Sequence, residues 1–241
     1  MKQSIAFMLL AALAVGAAAG AATVQFLHTP VSGASNFAIT QRGHLARLDS
    51  GSADGRVVFL GSSSFQGLDV SAVTPYGLNL GIGGDTLRGL AERAAGYRSL
   101  ASARAVWINI GFNDLAQRCE LPTNSLADMF APIPPAVPVL VLGIQTIDAA
   151  RLAARCDGRL PALIAELNTS FARDCASRPA CTFVSHPVES IVTPAAPTPR
   201  LEADGIHLAP AGYTDLIVAM RTALANIAPE LAAREPEYDA R

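Results

Sequence analysis

From Arg56 onward the chain alternates short apolar runs with stretches of helical periodicity. The apolar runs fall at residues 57–60, 78–80, 105–110, 137–142 and 182–184. They are short and largely without polar alternation, as expected of strands covered on both faces. Between them, residues 85–95 set Leu87, Leu90 and Ala94 or Ala95 on one face, with Asp85 as the expected N-cap. Residues 160–175 place Leu163, Ile164, Leu167 and Phe171 at helical spacing. Pro210 opens a last helix reaching about residue 225, because a first-turn position loses nothing by lacking an N–H. Strands alternating with helices predict βαβ units: an α/β, three-layer αβα sandwich around a mostly parallel five-stranded sheet.

The pattern changes at both ends of the chain. Residues 1–22 carry Lys2 followed by an uncharged apolar run over residues 5–22, which reads as an export segment. Ala17-Ala18-Ala19 and Ala19-Gly20-Ala21 fit small-x-small cleavage sites, whereas the length of the run also fits a retained membrane anchor. Residues 23–54 mix Ser, Gly, Thr and Pro and read as a tether, with one amphipathic helix over residues 36–48. The folded domain is expected over residues 55–228, with a charged, mobile tail over 229–241. A net charge of −2 offers no basic field for nucleic acid. Four cysteines, Cys119, Cys156, Cys175 and Cys181, are an even number that suits disulfides in an oxidising compartment. No Cys-x-x-Cys or His-x-x-x-His spacing points to a metal, and no cofactor is expected.

Candidate chemistry sits at the ends of three of the apolar runs and on one turn near the last helix. Asp204-Gly205-Ile206-His207 places a carboxylate three residues before an imidazole, on a turn ahead of a helix start. Such an Asp can hold the Nδ1 proton, fix the tautomer and leave Nε2 as a general base. The first run ends in Gly61-Ser62-Ser63-Ser64, three serines on an exposed turn. The second ends in a glycine turn, Gly81-Ile82-Gly83-Gly84-Asp85, and the third in Gly111-Phe112-Asn113-Asp114. Each block alone has an ordinary explanation as turn or cap chemistry. His28, His44 and His186 belong to that ordinary class, as surface or capped residues. A dinucleotide-binding turn is disfavoured, since Thr86 occupies its third glycine position.

Gly61-Ser62-Ser63, Gly83-Gly84-Asp85, Gly111-Phe112-Asn113-Asp114 and Asp204-Gly205-Ile206-His207, taken in order, resemble the SGNH hydrolases, the GDSL-type esterases and lipases. The resemblance spans roughly residues 55–228 and implies that family's flavodoxin-like fold. It implies Ser63 as nucleophile, His207 as base and Asp204 as its orienter. The oxyanion hole would be made by Ser63, Gly84 and Asn113. Ser62 stands where the family usually has Asp, so alignment on Gly61 alone selects Ser63 among the three serines. The Gly-x-Ser-x-Gly elbow of α/β-hydrolases is absent around Ser63. The implied activity is hydrolysis of an acetylated glycan, lysophospholipid or small acyl ester by an exported enzyme, periplasmic or secreted. An O-acyltransferase and a non-catalytic glycan-binding module are the alternatives on the same scaffold.

The expected topology also orders the cysteines. Cys175 ends a helix antiparallel to the sheet and Cys181 precedes the fifth strand, so both fall at the sheet's amino-terminal edge. Cys119 and Cys156 follow strands three and four, at the opposite edge. A disulfide spans only ~4.4–6.8 Å between α-carbons, so the expected pairs are Cys119–Cys156 and Cys175–Cys181. The proline-rich stretch at residues 185–202 is a candidate rim over the catalytic edge.

Overall fold

The computed structural model describes residues 36–187 and 200–232. Its elements are α1 (Asn36–Ser50), β1 (Val57–Gly61), α2 (Ser63–Gln66), β2 (Gly77–Gly81), α3 (Leu87–Ala94), β3 (Ala105–Asn109), α4 (Phe112–Arg118), β4 (Val139–Leu142), α5 (Leu160–Ala176), β5 (Cys181–Val184) and α6 (Pro210–Ile227). The five strands form one parallel sheet in the order β2-β1-β3-β4-β5. This is the flavodoxin-like order, in which the chain steps from β1 outward to β2 and then across to β3.

Alternation along each strand feeds two separate cores. Val58, Leu60, Val106, Ile108, Val139 and Val141 face α3 and α5, meeting Leu87, Leu90, Ile164, Leu167 and Phe171. Val57, Phe59, Ala105, Trp107, Leu140 and Leu142 face the other way, onto Phe65 of α2 and Leu216, Met220 and Leu224 of α6. The residues that predict the helices are thus the ones that cover the sheet.

Several boundaries differ from the expectation. The contiguous folded unit begins at Thr40, so α1 from that residue on is part of the domain and not a tether. Leu45 joins the core on the α3 side. Asp49 is buried because its carboxylate accepts the backbone N–H groups of Arg98 and Ser99. The expected tail starts with a further turn, Pro229–Leu231, that buries Leu231 against the α6 side. His186 is only 1% exposed, so it is no surface residue, whereas His44 is exposed. The expected export segment, His28 and residues 188–199 of the candidate rim lie outside the described residues. Among the described residues no helix is long and apolar enough to cross a membrane.

Candidate active site

Strand register brings the motif-bearing turns level. Gly61 pairs with Gly81 on one side and Asn109 on the other, so β1, β2 and β3 end together. The crevice of an open parallel sheet lies beyond such ends. A Cβ on Gly61 would stand 2.5 Å from the Asn109 carbonyl oxygen and 3.0 Å from the Phe65 ring. Glycine there lets the chain turn tightly across β3 into α2.

That turn separates the three serines. Ser62 and Ser64 are buried, each 5% exposed, while Ser63 is half-buried at the first residue of α2. Its Oγ lies 3.1 Å from Nε2 of His207. On the far side of the same imidazole, Nδ1 lies 2.5 Å from Oδ2 of Asp204. The second carboxylate oxygen, Oδ1, accepts the backbone N–H groups of Ile206 and His207, both at 2.9 Å. Desolvation pushes the Asp204 carboxyl up, but these hydrogen bonds outweigh it and hold the pKa at about 2. Asp204 is therefore an anion facing Nδ1, and Nε2 is left to accept a proton from Ser63.

The turn that carries this pair is anchored to the loop after β4. Buried Gln145 donates through Nε2 to the Ile206 carbonyl at 3.0 Å, and Asp148 N–H donates to the Gly205 carbonyl at 2.9 Å. Leu201 and Leu208 bridge antiparallel across its base. The contacts from Gln145 and Asp148 span about sixty residues of sequence, so nothing in the local motif announces them.

Gly84 and Asn113 are linked through Asp85, the residue after Gly84. Gly84 has φ +79°, which glycine adopts without strain, and it is exposed. Among the described residues no protein acceptor takes its N–H. Ser63, at the start of α2, has no intrahelical acceptor for its own N–H. Asn113 donates through Nδ2 to the Asp85 carbonyl at 2.9 Å, which uses one amide hydrogen and leaves the other. Asp114 ties the same two loops, since its carboxylate accepts Leu87 N–H at 3.0 Å. Burial pushes the Asp114 carboxyl up against that hydrogen bond.

Asp85 is not the N-cap of α3. Thr86 caps it, accepting Gly89 N–H through its side chain. Asp85 turns inward instead and pairs with Arg93 at 2.7 Å, both side chains 5% exposed. Sequence reasoning missed Arg93, because an arginine on an amphipathic helix reads as solvent-facing, as Arg88 of the same helix is. The disulfides of the structure are Cys119–Cys156 and Cys175–Cys181, with α-carbons 5.1 and 5.3 Å apart. Cys119 caps the carboxyl end of α4, the helix that carries Asn113.

No family sequence profile matches the chain, nor does any curated protein sequence. Solved structures do. A protein from Streptococcus pneumoniae, provisionally named a platelet activating factor, aligns with TM-score 0.67 and 19% identity, over 85% of this chain and 99% of its own. A GDSL-like lipase from Bacteroides thetaiotaomicron aligns with TM-score 0.57 and 22% identity, over 79% and 99%. This chain has the SGNH hydrolase fold. An acetylxylan esterase from Geobacillus stearothermophilus shares that SGNH fold with TM-score 0.54 and 18% identity, over 70% of this chain and 93% of its own. Within the SGNH frame, Ser63, Gly84, Asn113 and His207 come from four separate segments, with Ser63, Gly84 and Asn113 just beyond the carboxyl ends of β1, β2 and β3.

Proposed function

We propose that this protein is an exported serine esterase that hydrolyses short-acyl carboxylic esters through an acyl-Ser63 intermediate. The reading rests above all on the Ser63 Oγ to His207 Nε2 distance of 3.1 Å, with His207 Nδ1 held 2.5 Å from Asp204. Oγ attacks the ester carbonyl as Nε2 takes its proton, and the imidazolium then protonates the departing alkoxide. Negative charge on the tetrahedral oxygen is met by the Ser63 and Gly84 N–H groups and by the free amide hydrogen of Asn113. Water repeats the sequence on the acyl-serine, with His207 again as base and Ser63 as leaving group.

A short acyl group is supported by the small pocket beside the nucleophile. It is about 10 Å³, lined by Ser63, Ile110, Phe112, Ile144, Gln145 and Ile206 among others. That is roughly the room of one water, and so of a methyl group, not of a fatty chain. One of the similar structures is an acetylxylan esterase, and an acetyl group is of the size this pocket takes. Export is supported by the apolar run at residues 5–22 and by two disulfides, which persist in oxidising compartments.

A series of p-nitrophenyl esters tests the reading. The expected kcat/KM is highest for acetate and falls about 10-fold or more with each of the first added methylenes. Failure to hydrolyse any ester of the series would overturn the esterase assignment.

A further inference from the structure

Arg93 lies beneath the candidate oxyanion loop, and every one of its nitrogens is engaged. Nε donates to Asp85 Oδ2 at 2.7 Å. Nη1 donates to the Leu80 carbonyl at 2.7 Å and to the Tyr97 hydroxyl at 2.8 Å, and Nη2 to the Gly61 carbonyl at 3.2 Å. Leu80 lies near the end of β2, which leads to Gly84, and Gly61 is the last residue of β1, which leads to Ser63. The residue that Arg93 clamps, Asp85, directly follows Gly84, and its carbonyl accepts the Asn113 amide at 2.9 Å.

One planar guanidinium thus joins the strand end before the nucleophile, the strand end before the glycine loop, and the residue that orients the second donor. We infer that Arg93, through its buried pair with Asp85, is a positioning residue that presets Gly84 and Asn113 as oxyanion donors relative to Ser63. The inference rests on the esterase reading and adds to it a residue outside the four sequence blocks. Arg93 touches no substrate; it acts by fixing where the donors stand. Lysine is a poor substitute, because a point charge on a flexible stem cannot reach both strand-end carbonyls and the carboxylate in one plane.

The mechanism sets the size of the effect. Misplacing a catalytic donor by about 1 Å can cost ~10²-fold in rate without weakening ground-state binding. Arg93→Lys should therefore lower kcat by about 10–100-fold with KM changed by no more than about twofold. A role confined to general stability would act equally whether or not Asn113 is present. A role exerted through the donors would not, so the two changes must be non-additive. On an Asn113→Ala background, Arg93→Lys should cost less than about a third of its factor in the wild type.

The experiment is this double-mutant cycle in kcat on p-nitrophenyl acetate, run on the exported, disulfide-bonded protein. Asp85→Asn serves as the second variant if Arg93→Lys does not fold, because it removes the same pairing at nearly constant shape. Equal factors on the two backgrounds, or a kcat within about twofold of wild type, overturn the inference while the esterase reading stands. A wild type that hydrolyses no ester overturns both.

Discussion

His207 Nδ1 stands 2.5 Å from Asp204 Oδ2, although both side chains are close to half exposed. The pair is held by geometry and not by burial. The other oxygen of Asp204 accepts two backbone N–H groups of its own turn, which fixes the carboxylate facing the imidazole. Its pKa of about 2 means that the native state binds the anion more favourably than the unfolded chain does. The resulting stability is complete above the ordinary carboxylate range and is lost as pH falls toward about 2.

Asp204→Asn should therefore cost up to ~10⁴ in kcat, since an amide oxygen and nitrogen can hold the wrong tautomer. Steady-state kinetics of the variant check this; a kcat within about twofold of wild type would show that Asp204 does not act on His207.

Asn113 is expected to act only when charge develops. Asn113→Ala should lower kcat by about 10²–10³ with little change in KM. Steady-state kinetics on an acetyl ester decide it, and a loss confined to KM would make Asn113 a binding residue instead.

The two disulfides should separate by function. Cys119–Cys156 closes 37 residues and ends the helix bearing Asn113, whereas Cys175–Cys181 closes 6 residues at the opposite edge of the sheet. Replacing the first pair by serine should cost ~2–4 kcal/mol of stability and also reduce kcat, while replacing the second should leave kcat close to wild type. Urea titrations beside kinetics check this. Equal losses of kcat from both would remove the functional distinction.

Burial holds the His186 imidazole neutral, with its pKa pushed down to about 3. The unfolded chain takes up a proton as pH falls through the ordinary histidine range, and the native state does not until about 3. Stability from this residue is thus full above the ordinary range and declines across that window. His186→Gln should lose less of its urea midpoint than wild type between about pH 7 and pH 5. Parallel declines would contradict the assignment.

The strands and the sheet-covering helix faces are legible in the sequence because burial on both faces writes itself as apolar runs and stripes. Three of the four candidate-site blocks are legible for a related reason, since each lies where such a run stops, while the turn at residues 204–207 shows itself only through its Asp-x-x-His spacing. What the sequence hides are long-range polar contacts. Asp85 reads as a helix cap because Asp commonly is one, and only the proximity of Arg93 to two strand ends turns it inward. Asp49 likewise lies in a stretch of tether-like composition, yet its carboxylate is fixed by N–H groups about fifty residues away. Gln145 carries no motif at all, and its role appears only when the turn at residues 204–207 settles on it.

The central claim is that Ser63, among three adjacent serines, is the nucleophile activated by His207. Peptide mapping by mass spectrometry of fluorophosphonate-treated protein tests this most directly, with Ser63→Ala, Ser62→Ala and Ser64→Ala run in parallel. An adduct is expected on Ser63 in the wild type and in the Ser62 and Ser64 variants, and none in Ser63→Ala. An adduct on Ser62 or Ser64, or labelling that survives in Ser63→Ala, would contradict it.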